Sequence, residues 1–364
     1  MERPIFKPIG TPEEELDTPA LVVDLGKLDQ NIETMHAFFR ERDAKLRPNV
    51  AAHGSPAIAH MQLAAGGTVG GITAATLGQA EVFAANGLTD ILVATLLVTP
   101  VKIARLCALA RRASVTVVVD SARNVADISS AAVTNGVSVD ALVSVNTGLN
   151  ATGVEPGGPA VALAKAVEAA DGVRFAGLMT HDGPISGDRD ESRESIQQVL
   201  DTRKDVESAG IEVGTVSVGG THNYNVAGDM DGVTEVPAGS YALMDARYQP
   251  RRTEFANAAR VMSCVTSMPE AGNIITDVGR KAICVDAGNP SLDGLPGAKV
   301  RGLSAEHGGI DVDPGVDLGL GLGDRIWFIP RDIAGCVNVH DYMHTTRDGR
   351  LEAVWELPAR GRYR

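Results

Sequence analysis

The chain is short of cysteine, of basic charge and of long apolar runs, and each shortage excludes something. Cysteine occurs four times in 364 residues, at Cys107, Cys264, Cys284 and Cys336, with no paired spacing. That pattern supplies neither a disulfide framework nor a structural zinc knot, and it suits a reduced, cytoplasmic protein. Lys and Arg number 33 against 46 Asp and Glu, for a net charge of −13. Nucleic acid and anionic membrane surfaces call for a basic face, so neither is an expected partner. The longest apolar stretch, Ile91-Leu-Val-Ala-Thr-Leu-Leu-Val98, has eight residues, less than half a bilayer span. No charged-then-apolar leader opens the sequence, so no secretion signal is expected. What is present is ordinary for a globular protein: 44% hydrophobic residues, 40 Gly and 18 Pro.

Short apolar or β-branched runs recur through the first two thirds. They predict strands at 45–52, 68–75, 90–96, 115–120, 140–147, 174–181, 215–221 and 234–240. Helical patterns fill the gaps. Leu28, Ile32, Met35 and Phe39 lie on one face at period 3.6. Residues 79–86 stop at Gly87, and 101–112 begin after Pro100. Eight strands joined by helices is the count of a closed (β/α)8 barrel, an α/β fold of the TIM type. An open doubly wound sheet is the alternative. After Met244 the texture changes to short strand candidates at 261–267, 273–276, 281–286, 325–328 and 351–355, with no helix of useful length among them. This predicts a C-terminal all-β domain, with 18–245 as the barrel and 1–17 plus 246–364 as the β domain.

Barrel active sites lie at the C-terminal strand ends, and phosphate is often held after strands seven and eight. Ser217-Val-Gly-Gly-Thr-His-Asn-Tyr224 and Pro237-Ala-Gly-Ser-Tyr241 fall there. Gly219, Gly220, Thr221, Gly239, Ser240 and Tyr241 are therefore candidates for a phosphate or carboxylate cup. A plain strand exit is the simpler reading. His53, His181 and His222 fall at strand ends or in the glycine loop, with Asp182 beside His181, and imidazole exchanges protons near neutral pH. The segment from Pro330 to His344 carries Asp332, Cys336, His340, Asp341 and His344, all competent metal ligands by type. A strand through 337–343 would place His340 and Asp341 on opposite faces.

These motifs resemble the D-threonine aldolase and D-serine dehydratase family. Its members have an alanine racemase-type barrel that carries pyridoxal phosphate, plus a β domain that supplies a divalent metal. The likeness runs through Thr18-Pro-Ala-Leu-Val-Val-Asp24, Leu46-Arg-Pro-Asn-Val-Ala-Ala-His-Gly-Ser-Pro56, Leu77-Gly-Gln-Ala-Glu81, Thr147-Gly-Leu-Asn-Ala-Thr-Gly153, Gly219-Gly-Thr221 and Ala238-Gly-Ser-Tyr241. It continues through Asp277-Val-Gly-Arg-Lys-Ala282, Ser304-Ala-Glu-His-Gly308, Gly323-Asp-Arg325 and Arg347-Asp-Gly349.

Within that resemblance the chemistry departs. The family's Schiff-base lysine position is matched by Ala51, and a methyl group cannot form an imine. Asn49, Ala52 and Gly54 replace the flanking histidine, threonine and second lysine, while His53 matches. Lys45 lies six residues earlier, roughly 20 Å back along a strand. Ala151 stands where the family offers an arginine toward the cofactor ring. Asp332 and Ala334 match the metal-ligand positions. A carboxylate there favours Mg²⁺ or Mn²⁺, with His307, His181 or Cys336 as possible co-ligands. The resemblance further implies a homodimer. The reading that results is a lyase, of aldolase or dehydratase type, for a small hydroxy acid or hydroxy amino acid, with a divalent metal as candidate cofactor and without covalent pyridoxal phosphate. A non-catalytic ligand-binding or regulatory relative, and a pyridoxal phosphate-dependent aldolase or racemase, stand as alternatives.

Overall fold

The computed structural model describes residues 6–181 and 188–364. Strand β1 (Ala20–Asp24) leads into helix α1 (Leu25–Arg40), whose Leu28, Ile32, Met35 and Phe39 are all buried, as their spacing predicts. Then follow β2 (Lys45–Leu46), α2 (Pro56–Ala64), β3 (Ile72–Ala74), α3 (Leu77–Ala85), β4 (Asp90–Val93) and α4 (Pro100–Ala110). The alternation continues with β5 (Ser114–Val119), α5 (Ala122–Asn135), β6 (Val139–Ser144), α6 (Gly158–Glu168) and β7 (Val173–Met179). Helix α7 (Arg189–Ser208), β8 (Thr215–Ser217), the single-turn α8 (Tyr224–Ala227) and β9 (Glu235–Val236) complete it. Local chemistry sets several boundaries. Thr76 and Thr99 accept N-cap hydrogen bonds at α3 and α4, and Gly136 closes α5 in the left-handed conformation.

Strands β2 to β9 form one parallel sheet in the order β2-β9-β8-β7-β6-β5-β4-β3. Its two ends meet. Leu46 bridges Thr68 and Asn49 bridges Thr73, both parallel, so the first and second barrel strands pair and the ring closes. This is an eight-stranded parallel α/β barrel, as the strand count predicts. Alternation along each strand turns Leu92, Ala94, Val118, Leu142 and Met179 into one packed cluster, an interior layer of the kind that fills such barrels. Gly177 is required by geometry. A Cβ there would sit 1.9 Å from the carbonyl oxygen of Thr215, with which Gly177 is paired across β7 and β8.

The remaining strands build a mostly β unit. These are β10 (Ala259–Glu270), β11 (Asn273–Thr276), β12 (Ser291–Leu292), β13 (Ala298–Leu303), β14 (Gly308–Val312), β15 (Arg325–Ile329), β16 (Tyr342–Arg347) and β17 (Arg350–Glu356), with helix α9 (Ile333–Asn338) before β16. Residues 281–286, expected as a strand, run as turns. Gly279 there approaches the Ala305 backbone so closely that a Cβ would lie 2.2 Å from its oxygen. The division of the chain also differs from the expected 18–245 barrel. The described residues through Thr34 go with Ala52–Ala57 and Ser240–Arg360, while Met35–Ala51, Ile58–Gly239 and Gly361–Arg364 form the barrel unit. The reason is β1, which pairs antiparallel with β10 and parallel with β16 and so belongs to the β sheet. Its Ala20 and Val22 pack with Leu16, Met262 and Leu351 in that unit's core. Among the described residues, no helix is long and apolar enough to cross a membrane.

Candidate functional site

In the barrel unit the strand exits are held by side-chain hydroxyls and amides. Ser195 on α7 donates to Thr147 at 2.7 Å, Thr147 and Thr180 share a 2.9 Å hydrogen bond, and Thr180 donates to the Val145 carbonyl at 2.8 Å. This buried relay ties the ends of β6 and β7 to α7 with every hydroxyl satisfied. His181 follows directly. Its Nε2 lies 3.1 Å from the Ala94 carbonyl oxygen. A carbonyl only accepts, so Nε2 carries a proton. The side chain is exposed, and Nδ1 is the ring nitrogen that could act as a base. Asp182, the expected companion of His181, lies outside the described residues.

The glycine loop folds back on itself. Gly219 has φ +84°, and a Cβ there would meet the Ala227 methyl at 2.7 Å. The Gly220 N–H donates to Asn223 Oδ1 at 2.9 Å, and the Asn223 N–H donates to the Gly220 carbonyl at 3.3 Å. One amide of the expected anion cup is thus committed within the loop. The His222 ring lies beside Gly220, with Nδ1 3.3 Å from where a Cβ would be. The loop carrying Ala151 is likewise closed. Asn146 Oδ1 accepts from Gly148 N–H at 3.2 Å and from Asn150 N–H at 3.1 Å. Asn223 and Asn146 went unnoticed in the sequence because a lone Asn in a turn gives no catalytic signal.

Where could pyridoxal phosphate be anchored? Ala51 is half-buried on a short 3-10 turn, its N–H donating to Asn49 Oδ1 at 3.1 Å. The chain has eight lysines. Lys45 donates from Nζ to the carbonyls of Phe39, Arg40 and Arg42, so its ammonium caps the C-terminal end of α1. Lys102, Lys165 and Lys204 lie on the outer helices α4, α6 and α7, and Lys7, Lys27, Lys281 and Lys299 belong to the β unit. No lysine stands at the C-terminal end of a barrel strand. The barrel unit's own strand ends thus offer no amine to such a cofactor.

The β unit holds the other candidates. His53 is fully buried, and its Nδ1 accepts the Ser55 N–H at 3.1 Å. Tyr241 is buried against Phe255, and the Ser240 carbonyl accepts from Met244 N–H. Asp332 is the N-cap of α9, its Oδ1 accepting the Ala334 N–H at 3.1 Å. Asp245, fully enclosed nearby, accepts from Arg247 and Tyr248 N–H at 3.0 Å and from Ile333 N–H at 3.2 Å. Burial pushes its carboxyl above the usual range, opposed by those three donors and reinforced by the Asp332 charge. Burial also raises the Cys336 thiol, which keeps it protonated and a poor ligand. His307 is exposed in the turn before β14, and His340 donates from Nε2 to the Ala282 carbonyl at 2.7 Å. Asp341 pairs with Arg360; the strand expected through 337–343 is not formed, because 337–338 end helix α9 and β16 begins only at Tyr342. Among the described residues, no three His, Cys, Asp or Glu side chains are grouped to hold a metal ion. Of the expected metal ligands, Asp332 serves as a helix cap through Oδ1 and His307 lies in a surface turn.

Comparison with known proteins agrees with the fold. Residues 23–246 match the family described as alanine racemase, N-terminal domain, and residues 258–346 match a serine dehydratase domain. D-threonine aldolase of an Arthrobacter species is 34% identical over 97% of this chain and 95% of its own. The crystal structure of D-threonine aldolase from Filomicrobium marinum superposes with a TM-score of 0.92 at 34% identity, covering 98% of this chain and 99% of that one. A D-threo-3-hydroxyaspartate dehydratase mutant, described as in the metal-free form, gives 0.85 at 26% identity over 95% and 98%. That wording implies metal binding in the relative. The chain belongs to the alanine racemase-type family of lyases that includes D-threonine aldolase and D-threo-3-hydroxyaspartate dehydratase.

Proposed function

We propose that this chain receives a small 3-hydroxy amino acid or hydroxy acid at the C-terminal mouth of the barrel, and acts on it as a lyase without lysine-anchored pyridoxal phosphate. Within the barrel unit, Lys45 caps the end of α1 and Lys102, Lys165 and Lys204 lie on the outer helices, and this supports the second half of the reading. The substrate class rests on the relatives, whose substrates share a hydroxyl on the carbon next to the amino-bearing one. His181 is the group this chain offers to that hydroxyl. With Nε2–H held by the Ala94 carbonyl, Nδ1 can take the hydroxyl proton as a C–C bond breaks, or return one as water leaves. The homodimer implied by the family likeness is part of the proposal, and light scattering at micromolar concentration checks it.

A second reading, binding without turnover, is favoured by the internal commitments of the Gly220 amide and of Asp332. One experiment separates the two. The protein is incubated with D-threonine or D-threo-3-hydroxyaspartate, with and without added pyridoxal phosphate, while aldehyde and 2-oxo acid release is followed. Turnover without the cofactor that disappears in His181→Ala supports the lyase. Ligand-induced thermal stabilisation with no turnover supports the binding protein. Turnover that requires pyridoxal phosphate and leaves a borohydride-stable adduct on a lysine overturns both.

A further inference from the structure

We infer that Ser195, Thr147 and Thr180 are positioning residues, whose hydroxyl relay holds His181 across the barrel mouth with its Nε2–H on the far side. The catalytic consequence rests on the reading of His181 as the proton-transferring group. Every residue involved belongs to the barrel unit. His181 follows β7, the sixth strand of the ring, and its Nε2 lies 3.1 Å from the carbonyl oxygen of Ala94, just past β4, the third. Strands three places apart in a ring of eight stand on nearly opposite sides. The imidazole therefore crosses the opening. A small shift of the main chain at residue 181 would break so long a reach, because hydrogen bonds weaken steeply away from their preferred distance and angle. Thr180 is what fixes that main chain.

The Thr180 N–H donates to the Ser217 carbonyl at 3.2 Å, and its hydroxyl donates to the Val145 carbonyl at 2.8 Å. The same hydroxyl oxygen lies 3.2 Å from the carbonyl oxygen of His181 itself. A hydroxyl has one proton to give. Since that of Thr180 goes to a carbonyl, Thr147 must donate the 2.9 Å bond between the two threonines, and Thr147 in turn accepts from Ser195 at 2.7 Å. The relay has one direction, from Ser195 through Thr147 to Thr180. It ends on main-chain oxygens, so it brings no proton to the imidazole. What it transmits is position. Its members come from three places in the fold: α7, the loop after β6 and the exit of β7. All three are buried. Packing alone asks only for bulk there, and apolar groups of the same shape would serve it about as well. Buried, fully satisfied hydroxyls add a fixed orientation.

Nitrogen-15 NMR of histidine-labelled protein at about pH 9, where an ordinary imidazole is neutral, tests this without any substrate. The His181 signals are identified by their loss in His181→Ala. In the wild type the ring proton should reside on Nε2. In Thr147→Val, which nearly keeps the shape and deletes the hydroxyl, the proton should be shared between Nε2 and Nδ1, and Thr147→Ser should restore the wild-type pattern. Ser195→Ala breaks the relay at its outer end and should act in the same direction, which keeps the test open if Thr147→Val does not fold. A His181 pattern unchanged in Ser195→Ala and in Thr147→Val would overturn the inference. So would a Thr147→Ser protein that behaves like Thr147→Val, which would assign the effect to packing. Where the wild type turns over D-threonine, kcat in Thr147→Val should fall about tenfold with KM nearly unchanged. Loss of the Nε2 pattern in Thr147→Val, with no turnover by the wild type, would sink the lyase reading and uphold the positioning.

Discussion

Asp332 offers a sharp test, because its cap can be separated from its charge. In Asp332→Ala the Ala334 N–H loses its acceptor at the start of a six-residue helix. Loss of an N-cap side chain costs about 0.5–2 kcal/mol. Helix α9 buries Ile333, Cys336 and Val337, so it cannot fray without exposing them, and the expected loss is about 1.5 kcal/mol. Asn caps as well as Asp, so Asp332→Asn should lie within about 0.5 kcal/mol of wild type. The charge acts on Asp245. Burial, and to a lesser degree Asp332, holds its folded pKa above the unfolded value. The folded chain then binds that proton more tightly, so this contribution is fully present below about pH 4 and is lost as pH rises through the folded value. Asp332→Asn removes one cause of the shift and should lessen that loss. Urea midpoints of the three proteins at about pH 5 and about pH 8, with and without Mn²⁺, provide the measurement. If Asp332→Asn proved as unstable as Asp332→Ala, the cap would not be the residue's role. A midpoint raised by Mn²⁺ in wild type but not in Asp332→Ala would give Asp332 a metal-binding role beyond the cap.

Gly177→Ala should cost about 3 kcal/mol or prevent folding, since the new methyl meets the Thr215 carbonyl oxygen at 1.9 Å; a urea midpoint close to wild type would show that β7 and β8 can part cheaply. Burial lowers the pKa of His340 and of His344. Their contribution to stability is therefore present above about pH 6.5 and lost as pH falls through the folded values. His344→Gln should flatten that acid limb in a pH series of thermal melts, and an unchanged limb would exclude His344 as a source. Ala51→Lys alone should not confer D-threonine cleavage, because Ala151 and the Asp332 cap are unchanged; robust aldehyde release by the single variant would show those departures to be unimportant.

The barrel was legible in the sequence because its signal is local and repeated. All eight expected strands are found, though the tails of most, such as 218–221 and 237–240, run on as loop. In those tails glycine and backbone curvature end the pairing. The β unit was less legible. Strands β13 and β14 carry Gly302, Gly308 and Gly309 among polar residues, and helix α9 is too short to show a period. The place of β1 depends on partners more than 230 residues away, which no window of sequence can hold. At the site, the residue types were readable and their engagements were not. That His53 is sealed, that Asp332 caps a helix and that Asn223 occupies the Gly220 amide are facts of three-dimensional neighbourhood.

The position of β1 sets an order of events during synthesis. Its two partners, β10 and β16, begin at Ala259 and Tyr342. At about 5–20 residues per second, β1 waits on the order of 10–50 s for its first neighbour and longer for its second. Throughout that interval Leu21, Val22 and Val23, all buried in the finished protein, belong to a strand with both edges unpaired. Strands β3 to β9 each meet a neighbour within a few dozen residues, and β2 gains β9 once residue 236 is made, so the barrel can assemble first. A ribosome stalled before Ala259 would thus carry a nearly finished barrel behind an adhesive N-terminal segment, where a chaperone or protease would engage the nascent chain.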